Sequence, residues 1–543
     1  VKLVRPAIAA LLLATAAPAA QELGTITFPT SGAPAAQPAF LEGVKALHSF
    51  QFDDAADAFR RAQRADPEFA LAYWGEAMSH NHPLWAQQDT EAAKKALEKL
   101  APTHEARLAK AKMPKEKALL EAMQVLYFSA GDKLARDRAY SEAMARLHAQ
   151  WPDDHEIATF YALSLLGTVR PGDDGFRRQA LAASIAMKIF AANPKHPGAA
   201  HFIIHSFDDP EHAPLGLPAA NAYAKIAPAA AHALHMPSHI YVQLGMWKDV
   251  VASNVDAYKA AVATIARMKL PEGREDFHTL SWLEYGNLML GRYEDAERNV
   301  ETAREAVERN PQSRGVRSGY LEMRARYILE TGKWEKIALD EPAASGDADA
   351  HAHMPGMRSA GASTAMIFIA GMSAAKMGDA ATAEAAAARL RAARDKQAAG
   401  GDDYVTKELT IFEREVAALA RLAAGRREEA VALAKEAADL ELTMSAPSGP
   451  PDPMKPAVEL YGDVLLEADR PKDAAAAYAQ SLLRTPKRTP SLLGLARASA
   501  RAGDLAAARQ YYTELANMPG AAPSAPAVLE AQKFLKQPST DAR

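Results

Sequence analysis

The sequence predicts an all-α chain built as an α-solenoid, on three observations. Alanine, leucine, glutamate, lysine and arginine dominate the 543 residues, while β-branched residues are sparse outside short runs; that composition favours helix throughout. A chain of this length outgrows one compact core unless its units stack in one dimension. From near Pro38 onward, a loose pattern of small residue, turn, alanine, aromatic and closing proline keeps returning.

The chain opens VKLVRPAIAALLLATAAPAAQELG. The basic Lys2 and Arg5, the apolar stretch Ala7 to Ala17 and the small-residue site Ala17-Pro18-Ala19 read as a secretory signal peptide over residues 1–20, too short and wrongly flanked for a membrane span. Its removal takes two positive charges, moving the formal charge from −4 to about −6. With the valine start, this predicts a bacterial protein that is periplasmic or secreted. Cysteine is absent, which excludes disulfides, a lipid anchor and haem attachment through CxxCH, and restricts any metal site to nitrogen, oxygen or thioether donors. The charge balance points to neither nucleic acid nor an anionic membrane as partner.

Residues 21–35 read as a linker, 36–340 as an N-terminal run of repeats, and 341–360 as an Asp/His-rich loop. Residues 361–536 read as C-terminal repeats and 537–543 as a disordered tail. One unit shows Ala55, Phe59, Ala62 and Pro67, another Ala474, Tyr478 and Pro486, and a third, slipped by one, Ala508, Tyr512 and Pro519. Further units are expected at 155–190, 197–230, 231–270, 277–310, 316–340, 362–395, 406–439 and 455–488. Residues 100–150 read as an irregular helical insert and the Pro-rich run 445–456 as a break. The pattern resembles the tetratricopeptide repeat (TPR), a 34-residue helix–turn–helix unit whose open apolar face is covered by the next unit. The resemblance spans most of 36–520. It implies a right-handed superhelix with a concave groove and a peptide or protein partner, and says little about chemistry.

In that family, positions 2, 5 and 9 of the first helix face the groove. Counting from the closing Pro194 puts His201 and His205 at positions 5 and 9. Counting from Pro228 puts His232, His235 and His239 at 2, 5 and 9. Aligning LGRY (290–293) with LGMW (244–247) puts His278 at position 2. Neighbouring helices about 8–10 Å apart would let these imidazoles converge, and imidazole is the commonest protein ligand for zinc and copper. A groove that recognises carboxylates through histidine is the competing explanation. Six imidazoles exceed the needs of one ion, so one ion with spare acid–base groups and two ions both remain open. Copper and zinc stand level, with the thioethers of Met236 and Met246 nearby.

Around this stripe, Glu156 falls at position 2 of the preceding unit as a candidate general base, and Asp208 as a ligand or as a carboxylate orienting an imidazole. Tyr285 and Trp282 either line the pocket or pack. His82, with Asn81, sits at the groove edge, where a capping turn before Pro83 explains it equally well. Asp347, Asp349, His351, His353, Met354 and Met357 form either a metal-acquiring loop or a solvated one. The HxxxH pair at 201–205 lacks the glutamate of the zincin proteases, and there is no GxSxG, HExxH, P-loop or GxGxxG signature.

Three functions follow. The first is an exported repeat scaffold with a concave histidine-rich transition-metal site of one or two copper or zinc ions. The second is a metal-dependent enzyme, using metal-activated water or dioxygen on a peptide or small molecule. It would have His201, His205, His235 and His239 as core ligands, with His232 and His278 completing the site or holding a second ion. The third is a metal-free protein-interaction module.

Overall fold

The computed structural model describes residues 22–170, 175–270, 274, 276–339, 361–401 and 403–537. The expected signal peptide, the loop 341–360 and all but the first residue of the expected tail lie outside the described residues.

Among the described residues the protein is helical nearly throughout; the strands are a two-residue antiparallel pair, Asn81–His82 with Gln87–Gln88. Successive helices pack as antiparallel hairpins, and each hairpin covers the next, so the fold is a TPR-like α-solenoid. The aromatic of the repeat explains the period. Phe59 is fully buried and wedges between Gly43 and Gly75, sixteen residues to either side, where a Cβ would lie 2.8 and 2.3 Å from its ring. Tyr478 does the same between Gly462 and Gly494. Small residues let the two flanking helices close onto one ring, which is the physical content of the small–aromatic pattern. Aspartates cap several helix starts; Asp276, Asp379 and Asp504 each accept a backbone N–H three residues on.

Three expectations about organisation are corrected. Residues 22–35 are no free linker: Leu23 and Phe28 are buried, Phe28 meets Phe40 and Trp74, and the Thr25 amide donates to Lys195 O at 2.9 Å. An extended segment with two large apolar side chains gains more by docking than by staying solvated. Residues 100–150 are no irregular insert but regular helices, including Pro114–Phe128 and Lys133–Gln150. The Pro-rich run is a strap over the groove: Gln243 Nε2 donates to Pro447 O at 2.8 Å, and Gly449 lies against the ring of Trp282.

The C-terminal repeats return to the middle of the chain. Trp247 Nε1 donates to Lys487 O at 2.9 Å, Thr489 Oγ1 to Met289 O at 2.6 Å, and the Ala522 amide to Leu290 O at 2.9 Å. No described helix is long and apolar enough to cross a membrane.

Candidate metal centre

Three inward-facing helical segments carry the histidines. The helix Pro197–Ser206 starts with proline at its first position and is capped by His196, whose Nδ1 accepts the Ala199 amide at 3.1 Å. The next segment is broken into Ala231–His235 and Pro237–Gln243, because Pro237 has no N–H to give the preceding turn. The third is Phe277–Met289, capped by Asp276.

The imidazoles gather as two triads. Donor nitrogens of His201, His205 and His232 lie within 4.8 Å of one another, as do those of His235, His239 and His278. Nε2 of His232 is 3.1 Å from Nε2 of His201; Nε2 of His235 is 3.1 Å from that of His239 and 2.9 Å from that of His278. The triads adjoin, with ring centres 5.8 Å apart for His205 and His239 and 6.2 Å apart for His232 and His235. The grouping expected from repeat positions differs: His201 and His205 do not share a set with His235 and His239. His232 leans back to the preceding helix, while His235 and His239, on either side of the Pro237 break, lean forward to His278.

The groups behind these rings fix their tautomers. His201 Nδ1 lies 2.7 Å from His48 O, and His239 Nδ1 2.6 Å from Asp208 Oδ2. A carbonyl and a carboxylate only accept, so both imidazoles donate from Nδ1. His235 Nδ1 lies 2.6 Å from Asn254 Oδ1; the Asn254 amide nitrogen donates to Val250 O, so its oxygen is the acceptor here too. The Nε2 atoms of His201, His235 and His239 therefore present lone pairs to the triads. Those of His235 and His239 face each other at 3.1 Å, an arrangement that is repulsive until a cation or a proton stands between them. Protonation is opposed: burial, and then the neighbouring His239, push His235 down to about 3. Burial and adjacent imidazoles hold His201, His205 and His232 well below the ordinary histidine value. His205 Nε2 is buried with no hydrogen-bond partner. Nitrogen donors around one ion at about 2.0–2.1 Å stand roughly 3–3.5 Å apart, close to the His201–His232, His235–His239 and His235–His278 separations, so these residues could hold a transition metal.

Glu156 lies elsewhere than in the groove. It is fully buried, 2.7 Å from His48 Nε2 and 3.0 Å from His196 Nε2. Burial alone would raise it, but the two imidazoles hold it at about 2. Enclosed and held as a carboxylate by these two imidazoles, it does not suit the role of general base. Its side chain instead braces His48, whose carbonyl orients His201. His48, Glu156 and His196 also form a donor cluster, yet His196 Nδ1 accepts the Ala199 amide, which leaves its Nε2 carrying the hydrogen toward Glu156. That is a hydrogen-bonded triad rather than a second kind of metal set.

Asp208 sits behind His239 and also accepts from Gln243 Nε2 at 3.3 Å. Trp282 is fully buried with its ring 4.4 Å from His239 and 5.0 Å from His235. Tyr285 is a turn further on and packs away from the triads, its hydroxyl accepting from Arg488 at 3.3 Å and its ring edge-on to Trp247. His82 is stacked on Phe52 at 3.9 Å, and the rings of Phe52, Phe50 and Trp85 stand between it and the triads. Sequence reasoning missed His48, His196, Asn254 and Phe50. Phe50 is left-handed at φ 53° and lays its ring 4.4 Å from His201. Of these, only His196, placed immediately before a helix-starting proline, carried a signal.

No protein-family model and no curated protein matches this chain. Among solved structures, human IFIT1 in its dimer with m7Gppp-AAAA is 11% identical, with a TM-score of 0.36, covering 91% of this chain and 95% of that one. Yeast Tom70 is 11% identical, with a TM-score of 0.28, covering 92% and 94%. The Cut9 complex with Hcn1 is 10% identical, with a TM-score of 0.31, covering 94% and 79%. Likenesses at this level carry no argument about function.

Proposed function

We propose that this TPR-like scaffold holds a transition-metal centre, one ion in each histidine triad. The observation that supports it most is the pair of lone-pair-bearing Nε2 atoms of His235 and His239, fixed face to face by acceptors behind both rings. Buried polar groups are ordinarily partnered; His278 Nε2 can donate to His235, but the partner that suits the lone pairs of His235 and His239 together is a metal ion. Zinc and copper both accept imidazole. The basic and apolar start of the chain supports export to the periplasm or beyond, where fractionation would find the protein.

Metal analysis of the full chain, purified without chelator or nickel resin, tests the reading. The expected result is close to two equivalents of copper or zinc per chain. His235→Ala loses at least one of them while helical ellipticity stays within about a tenth of the parent. Under a tenth of an equivalent, after soaking with each metal in turn, would overturn the proposal and leave a metal-free interaction module.

A further inference from the structure

The nature of the two ions, and of what reaches them, follows from charge and shape, given the metal reading above. Each triad offers three imidazoles, and Asp208 stands behind His239 rather than among the donors. Two ions in adjoining sites repel in proportion to the product of their charges, so a reduced, monovalent pair feels about fourfold less repulsion than a divalent pair, whether zinc or cupric. Of the ions that imidazole suits, copper has a stable monovalent state, and that state accepts three nitrogens without a fourth ligand.

A cavity of about 430 Å³ opens onto the first triad. Leu84, Leu166, Val169 and Phe176 supply its apolar wall, and the proline strap from Ser445 to Pro450 roofs it. His205 is the residue of that triad that lines it, and its buried Nε2 has no hydrogen-bond partner. The charged groups there are already engaged: Asp208 with His239, Asp209 with His212 at 2.9 Å, Arg170 with the carbonyls of Gly167 and Val169, and Asp452 with the hydroxyl of Tyr404 at 2.8 Å. The cavity therefore suits a small neutral molecule with an apolar body and one polar edge, and its volume is too small for an extended peptide. A second cavity of about 110 Å³, on the His278 side, is too small for such a molecule.

We infer that the six histidines hold a pair of copper ions cycling between cuprous and cupric, and that the strapped cavity beside His205 admits a small diphenol, with dioxygen as the oxidant. Each diphenol gives up two electrons and two protons and leaves as the quinone. Two such turnovers deliver four electrons and four protons to one dioxygen, whose O–O bond breaks to give two waters.

The test loads the full chain anaerobically with cuprous ion, exposes it to air, and compares total copper with the copper visible by electron paramagnetic resonance. Two coppers per chain with less than a quarter visible are expected, because paired cupric ions couple. His239→Ala leaves one visible copper. With 4-tert-butylcatechol as probe, one dioxygen is consumed per two quinones formed. Val169→Phe and the milder Val169→Leu, checked for unchanged copper content, raise KM at least fivefold and about twofold.

Two fully visible coppers, zinc retained to the exclusion of copper, or no oxygen uptake with copper fully loaded would overturn this inference while leaving the metal reading intact. A chain that takes up no metal at all would remove both.

Discussion

Two inward faces of the same superhelix bury polar groups in opposite ways. Toward the C-terminus, Arg488 is almost wholly buried, yet it meets Glu459 at 2.8 Å, Glu330 at 2.8 Å and the hydroxyl of Tyr285. Glu459 in turn accepts from Lys455 and Ser491, and Arg488 and Lys455 hold it at about 2 despite its burial. The Arg488 guanidinium and the Glu459 carboxylate there each find opposite charge within the protein. In the histidine face, acceptors behind the rings leave acceptors in front of them. The lesson is that burial and hydrogen bonding alone do not separate structure from function; what separates them is whether the donors and acceptors balance.

The largest break in this comparison comes from the Arg488 side. Arg488→Met takes a cation from two buried carboxylates, leaving Glu459 only Lys455 and Ser491, and is expected to destabilise by about 3–5 kcal/mol, read by denaturant unfolding, with metal content per folded chain unchanged. Next, stripping metal with a chelator lowers the stability of the parent by about 2.7 kcal/mol per site when free ion had stood at a hundred times Kd. The metal-free histidine variants show no such drop.

A smaller effect sharpens the role of the groups behind the rings. Asp208→Asn weakens metal binding by about 10–100-fold without loss of fold, measured by competition with a calibrated chelator. A purely packing role for Asp208 would leave affinity unchanged.

The smallest effect concerns Glu284, fully buried with neither carboxylate oxygen partnered, and pushed well above the usual range by burial. The folded state holds that proton more tightly than the unfolded state. Its contribution is therefore full at acid pH and is lost as pH rises through and beyond the ordinary carboxyl range. Glu284→Gln flattens this dependence, so the variant gains stability over the parent at pH 8 and not at pH 4, as thermal unfolding at both values checks.

The contrast also shows what the sequence could carry. The repeat was legible because the small–aromatic wedge of Phe59 and Tyr478 recurs at fixed spacing. The histidine stripe was legible because groove positions are periodic. Which triad each ring joins was not, since position on a helix gives a face but not the neighbour toward which a side chain leans, and the Pro237 break redirects that lean. The surroundings of Glu156 were equally hidden: His48 lies 108 residues away and His196 40 residues away, and no local pattern links them. Nor does a proline-rich run announce whether it is a spacer or a strap. That depends on partners such as Gln243, some 200 residues distant.

The return of the C-terminal repeats to Trp247, Met289 and Leu290 gives this chain a trait that open solenoids lack. An open stack can gain or lose a unit at its end, and it melts from the tips inward. Here the far repeats are latched to the middle across 200 and 240 residues, so the pitch of every intervening unit must add up to the same closing distance. Inserting or deleting one repeat between residues 293 and 486 would misalign the latch rather than lengthen the molecule. The chain is therefore held to a fixed number of units, as a clasped bracelet is and a spring is not.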